Sequence, residues 1–331
     1  MDFEPYIAAA QHFFRAIAGA CLFSLCLVVP ASAASFPQKP VRLVVPYRAG
    51  GSSDIVARLL SLRLADTWGR AVTVENVPGT ASVYGTREVA NAVPDGHTLL
   101  VGNAVLAINE ALLRKLPYHA LRDFAPIALT ARQHLALVVN ADGGFQSAAQ
   151  ITNAARAAPA AVSFGSAGQG AVGHLAGELF KVAAGVNLVH VAYSGSRQAI
   201  RELIANHVSC AIIALPAAMP QVQAGKLRVL GVTGNQRAAA LPNVPTIAES
   251  MPGYEVDNWV GILAPYGAKA TLVRKINADL NAVINNPDFK ALLASLGYEA
   301  AGSTPGEFQG RLAADIERYS RVVAAAGILD R

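Results

Sequence analysis

Four times along this chain a short apolar stretch of strand character runs into a loop of glycine and small hydroxyl residues, and a helical pattern follows. In the first instance residues 41–45, Val-Arg-Leu-Val-Val, end at Pro46. Beyond Gly50 and Gly51, the apolar residues Ile55, Leu59 and Leu62, with Val56, Leu60 and Leu64, recur at helical spacing. The four loops are Pro46-Tyr47-Arg48-Ala49-Gly50-Gly51-Ser52-Ser53-Asp54, Pro78-Gly79-Thr80-Ala81-Ser82, Gly165-Ser166-Ala167-Gly168-Gln169-Gly170 and Tyr193-Ser194-Gly195-Ser196. Strand, loop and crossover helix is the unit of parallel sheets. The repetition therefore predicts an α/β fold with mostly parallel sheets, whose ligands bind beyond the carboxyl ends of the strands.

Further strands are expected at residues 72–75, 98–102, 135–140, 162–165, 188–192, 208–215, 227–233 and 259–264, with helices between many of them. From Lys269 onward the pattern is helical only. Thr304, Pro305 and Glu307 read as a capping box with proline at the first helical position, opening a helix to about Ala326. At about 150 residues per domain the 331 residues make two domains. No repeat or low-complexity linker separates them, so the chain is expected to cross between them more than once.

The loops carry the chemistry. Unpaired N–H groups at a helix start, together with the positive end of its dipole, form an anion site, and glycine lets a ligand approach the backbone. Several such loops facing one cleft would grip a carboxylate without lysine. Taken singly, each loop also fits ordinary turn and cap chemistry, and Asp54 reads first as a helix N-cap. Gly168, Gly170 and Gly173 satisfy G-x-G-x-x-G, but the acid that would hold a ribose is missing. After Glu178 the next acid is Glu202, and the strand end holds Tyr193 and Ser194. Nicotinamide cofactors are therefore not expected. Ser166 lies in Gly-Ser-Ala-Gly, which lacks the nucleophile elbow, although His174 follows eight residues on, so a hydrolase using Ser166 and His174 is an alternative reading. His97, His119, His134, His190 and His207 show no H-x-x-x-H spacing, so no metal site is expected. Trp259 and Tyr254 read as core aromatics or pocket walls. The net charge of +5, from 27 Lys and Arg against 22 Asp and Glu, is dispersed, which argues against nucleic acid.

At the amino terminus Arg15 precedes an uncharged apolar run over residues 16–29, followed by Pro30-Ala31-Ser32-Ala33. The run falls short of the roughly 20 residues that span a bilayer. It reads as a secretory signal over residues 1–33 with cleavage before Ala34. Removing two acids and one arginine raises the net charge from +5 to +6. Cys21 and Cys26 leave with the signal. Cys210 remains alone in a strand-like run and reads as a buried, inert thiol.

These loops, in this order, resemble the Bordetella-uptake-gene (Bug) family, the periplasmic solute receptors of tripartite tricarboxylate transporters. The resemblance runs from about residue 36 to residue 323. It includes Val74-Glu75-Asn76, Pro94-Asp95-Gly96-His97-Thr98-Leu99-Leu100, His174-Leu175-x-Gly177-Glu178-x-Phe180, Ala224-Gly225-Lys226-Leu227-Arg228, Leu241-Pro242-x-Val244-Pro245-Thr246 and Trp259-x-Gly261. It implies a Venus-flytrap fold of the periplasmic binding protein type II kind, with two α/β lobes joined by crossing strands: 36–138 plus 258–331, and 139–257. It also implies a non-enzymatic, exported, monomeric receptor that binds a small organic carboxylate without cofactor or metal and touches integral-membrane transporter subunits transiently. A signalling receptor is a further alternative. The ligand-binding residues implied are Tyr47, Arg48, Ala49, Gly50, Gly51, Ser52, Ser53, Asp54, Ala81, Ser82, Asn103, Ser166, Gly168, Gly170, His174, Tyr193, Ser194 and Gly195. The chain also departs from the family pattern. Ala49 stands where proline is usual and Arg48 where small residues or proline are common. Ala81 and Ser82 replace two glycines, Ser194 a frequent lysine, and Ala214 a common aspartate. Losing that aspartate favours a plain organic acid over an amino acid.

Overall fold

The computed structural model describes residues 36–328, so the expected signal over residues 1–33, with Cys21, Cys26 and the cleavage before Ala34, lies outside the described residues. From Lys39 onward the chain forms one unit. It starts with β1 (Val41–Val45), α1 (Ser52–Trp68), β2 (Val72–Asn76), α2 (Val83–Ala90), β3 (Thr98–Asn103), α3 (Val105–Leu112) and β4 (Phe124–Gln133). There follow β5 (Leu135–Asn140), α4 (Ala148–Ala157), β6 (Ser163–Ser166), α5 (Val172–Ala184), β7 (Val189–Ala192), α6 (Ser196–Ile204), β8 (Cys210–Ala214), α7 (Leu215–Gln223) and β9 (Leu227–Val232). The chain ends with β10 (Asn258–Pro265), α8 (Ala270–Asn285), α9 (Pro287–Ser295), β11 (Glu299–Ala300) and α10 (Pro305–Ala326).

Two sheets result, ordered β11-β4-β10-β3-β1-β2 and β7-β6-β8-β5-β9. They are mixed rather than mostly parallel. β1 runs parallel to β2 and β3, and β6 to β7 and β8, whereas β10 and β5 run antiparallel to both of their neighbours. The two crossings explain this. β5 and β10 enter their sheets from the other lobe and run outward, against strands whose carboxyl ends point toward that lobe. The first crossing falls at His134, because all of β5 lies in the second sheet. The chain returns to the six-stranded sheet with β10, which begins at Asn258. β4 and β11 were absent from the sequence reading. β4 carries Pro126 and no apolar alternation because it is buried along nearly its whole length, and β11 is a two-residue pairing at its edge.

Periodicity accounts for the core. Along β5 and β8, alternate residues face opposite layers: Leu137, Val139, Cys210 and Ile212 join one cluster, and Ala136, Val138, Ala211 and Ile213 the other. Cys210 is free and buried, and burial pushes its thiol up to about 12. The capping box forms as read, with the Glu307 N–H donating to Thr304 Oγ1 at 3.2 Å and the Thr304 N–H to Glu307 Oε2 at 2.7 Å. The helix it opens, α10, packs against α3 of the first lobe and α5 of the second.

Candidate functional site

Strand carboxyl ends and helix starts from both lobes enclose a cleft with two connected chambers. The inner chamber, about 860 Å³, is lined by Tyr47, Ser52, Ala81, Ser82, Asn103, Asn109, Gln133, residues 167–173, Ser196, residues 212–214 and Asn258, with apolar walls from Val105, Leu112, Leu113, Leu135 and Ile328. No charged side chain lines it. The outer chamber, about 710 Å³, is lined by residues 48–51, Ser194, Gly195, Arg197, Gln198, Arg201, Pro216 and Tyr298 among others. Ser52, Gln133, Ser196 and Ala214 line both.

The expected site residues divide accordingly. Tyr47, Ser52, Ala81, Ser82, Asn103, Gly168 and Gly170 reach the inner chamber, and Arg48, Ala49, Gly50, Gly51, Ser194 and Gly195 the outer one. Ser53, Asp54, Ser166, His174 and Tyr193 line neither. Ser53, Asp54, Ser166 and His174 instead bond to loop and neighbouring residues from beneath.

Asp54 is not the N-cap, which is Gly51. It is the third helical residue. Its carboxylate accepts from the Gly50 N–H at 2.9 Å, from Arg58 at 2.9 and 3.0 Å and from the Asn76 amide at 2.9 Å. Burial alone would raise its pKa, but Arg58, the Gly50 N–H and Asn76 together hold the carboxyl below its ordinary value. Ser53 Oγ accepts from Asn103 at 3.2 Å, while Asn103 Oδ1 accepts the Tyr47 hydroxyl at 2.7 Å and the Val105 N–H at 2.9 Å. Burial pushes the Tyr47 phenol up, so it remains a neutral donor.

The second loop explains a departure noted in the sequence. Ala81 and Ser82, at φ 50° and 64°, occupy the left-handed region that glycine adopts freely. Asn109, buried on α3, holds the strained turn by donating to the Ala81 carbonyl at 2.6 Å and to Tyr118 Oη at 3.1 Å. Ala81→Gly is expected to stabilise the protein by about 0.5–1 kcal/mol, the relief of strain exceeding the added freedom of the unfolded chain. Urea denaturation giving an unchanged or lower midpoint would contradict this.

In the third loop, fully buried Ser166 accepts the Gly168 N–H at 3.2 Å, and its hydroxyl lies 2.7 Å from His190 Nε2, not beside His174. His174 Nδ1 accepts the Gly170 N–H at 3.2 Å, and its ring stacks on His190 with centroids 4.0 Å apart. Two loop N–H groups are thereby anchored to side chains below them. Burial lowers His174 to about 3 and His190 to about 4, with Lys181 adding to both and His190 adding to His174. Unfolded histidine titrates near 6.5, so the folded state is the poorer proton acceptor between that pH and the lowered values. Stability contributed by the pair is complete above pH 6.5 and is lost as pH falls toward 4, at about 1.4 kcal/mol per pH unit for buried His174. Stability measured from pH 7 to 4 should fall less steeply in His174→Gln; an identical slope would dismiss the pair as its source.

The helices after the four glycine loops, α1, α2, α5 and α6, all begin without a side-chain cap. α4, α9 and α10 begin away from the cleft and are capped by Ser147, Asn286 and Thr304. First-turn N–H groups with no capping side chain thus gather around the cleft, although α8 also begins uncapped, away from it, at Ala270.

A family model described as the tripartite tricarboxylate transporter family receptor matches residues 56–328. The chain belongs to this family. The receptor is 33% identical to Rpa4515 of Rhodopseudomonas palustris, solved with adipate; the match covers 89% of this chain and 99% of that one at a TM-score of 0.79. Against the periplasmic binding protein BugD the identity is 30%, covering 89% and 100% at a TM-score of 0.76. Against MatC of R. palustris, solved with malate, it is 28%, covering 87% and 100% at a TM-score of 0.75. The family consists of solute receptors rather than enzymes, which removes the hydrolase alternative together with the Ser166–His174 pairing it required.

Asn109, Gln133 and Asn258 line the chamber without having been singled out as binding residues in the sequence, and Ser196 was named there only as the end of the fourth loop. Ser52 Oγ and the Asn258 amide both donate to Gln133 Oε1, at 2.9 and 3.1 Å, tying the first helix start to both crossings. Gln133 was not legible because the strand bearing it went unread. Asn258, which stands at the second crossing, carried a usable signal.

Proposed function

We propose that this protein is an exported receptor that closes on a small organic carboxylate and delivers it to the membrane subunits of a tripartite transporter. The observation that carries this reading is the gathering of uncapped helix starts around an inner chamber free of charged side chains. Backbone N–H groups and helix dipoles suit a carboxylate there, while the apolar wall suits its carbon skeleton. Ala214 reaches the chamber wall, and no acid lines the chamber to receive an ammonium group, which favours a plain acid over an amino acid. The adipate and malate carried by two structural neighbours support the same class. The mature receptor begins at Ala34, acts as a monomer in the periplasm, and has lobes 36–134 plus 258–331 and 135–257. N-terminal sequencing of the exported protein that read from Met1 would reject the cleavage.

Thermal-shift screening against dicarboxylates, tricarboxylates, aromatic acids and amino acids tests the ligand class. A carboxylate at 100 times its dissociation constant adds about 2.7 kcal/mol, so the melting temperature should rise by several degrees with at least one acid and by less with its α-amino analogue. No shift with any carboxylate, or a larger one with the amino acids, would reject the reading.

A further inference from the structure

Two helices run along the inner chamber and give it a length. α3 starts beside Asn103 and Val105, at the polar loops, and Leu112 lines the same chamber about 10 Å farther along that helix. A methyl group at Gly170 would lie 3.5 Å from Leu112, so the third loop reaches this end from the second lobe. α10 leads away from the crossings. Its Asp315 holds the indole of Trp259, the neighbour of Asn258, and Ala326 ends the helix about 16 Å farther on. Ile328 follows and lines the inner chamber, whereas neither Ile328 nor Leu112 lines the outer one. We infer that Ile328 closes the apolar end of the inner chamber and sets the length of the carbon skeleton that the receptor accepts. This rests on the carboxylate-receptor reading and adds to it a specificity-determining residue.

The fold fixes this residue before any ligand arrives. Gly327, at φ 65°, ends α10 in the left-handed conformation, its N–H donates to the Ala324 carbonyl at 3.4 Å, and the Ile328 N–H donates to the Val323 carbonyl at 3.3 Å. This is the Schellman ending, which turns an apolar side chain at the position after the glycine back onto the helix. Here the half-buried Ile328 packs against the cluster that holds Leu112, Val322 and Val323. A ligand whose carboxylate sits at the helix starts would lay its skeleton along α3, gaining about fourfold in affinity for each methylene buried. The gain ends where the skeleton meets Ile328, because forcing another methylene against a packed wall costs more than its burial returns.

The test is calorimetric titration of the mature protein with straight-chain monocarboxylates of roughly three to ten carbons. For the wild type, affinity should climb about fourfold per carbon to a best length and fall beyond it. Ile328→Ala should lengthen the best acid by about two carbons and Ile328→Phe should shorten it by about one, with the shortest acids bound as in the wild type. A role confined to ending α10 would lower the melting temperature and leave the best length where it was. Circular dichroism checks folding, and Ile328→Val, with an expected shift of about one carbon, replaces the alanine variant if that is unfolded. One best length shared by all variants, or affinity that climbs through the whole series without a maximum, overturns the inference and leaves the receptor reading intact. Failure of the wild type to bind any acid of the series overturns the inference too, and the receptor reading falls with it only if every acid of the thermal-shift screen also fails.

Discussion

Replacing Asp315 with alanine is expected to destabilise the protein by about 3–5 kcal/mol, the usual cost of breaking a buried pair and leaving its cation behind. Asp315 is fully buried on α10, and its Oδ2 accepts the Trp259 indole N–H at 2.8 Å and Arg311 Nε at 2.9 Å. Arg311 is itself largely buried, and its remaining carboxylates are farther off, Glu255 at 3.3 Å and Asp257 at 3.7 Å. Burial would lower the Arg311 pKa, but Asp315, Asp257 and Glu255 raise it, so it stays charged when Asp315 is lost. Trp259 is the second residue of β10, just past the second crossing, so the pair fastens the C-terminal helix to the point where the lobes join. A fall in melting temperature of about 10 °C is expected. Asp315→Asn keeps an acceptor for the indole and should recover part of the loss. A melting temperature within 2 °C of wild type for the alanine variant would show that the pair contributes little.

Gly173→Ala should cost about 3 kcal/mol and weaken carboxylate binding by tenfold or more, because both the core and the site depend on this contact. A methyl group at Gly173 would lie 2.2 Å from the Ile212 carbonyl oxygen, and backbone cannot yield as a flexible side chain does. α5 would have to move off β8. Its start supplies residues 171–173 of the inner chamber, and its His174 holds the Gly170 N–H. Gly144→Ala, which would meet nothing within 4 Å, is the neutral control. Urea denaturation and calorimetry with a bound carboxylate measure the two effects. Wild-type stability with wild-type affinity would mean that the helix start tolerates displacement.

Local pattern was enough for much of the architecture. Apolar runs of strand character marked eight of the strands besides β1, and Thr304, Pro305 and Glu307 marked the start of α10, because periodicity and capping act over a few residues. The four loops were legible as glycine-rich helix starts for the same reason, and the wider sequence pattern placed the chain among solute receptors. Position 173 could be singled out as a glycine, but only packing against β8 shows why it must be one.

What needed the tertiary structure was the direction of each side chain and the identity of its distant partners. Ser166 ends β6 and His174 lies in the first turn of α5, yet both turn inward, because His190 on the neighbouring strand β7 offers a partner that chain order conceals. Arg48 and Arg201 are 153 residues apart in sequence and share a chamber because the strands of the five-stranded sheet are inserted in sequence between those of the six-stranded one. Sequence determined where helix starts could hold an anion, since that depends on neighbours along the chain. The division of the cleft into a neutral and a cationic chamber was decided by folding, since charges brought together by separate lobes leave no mark in local order.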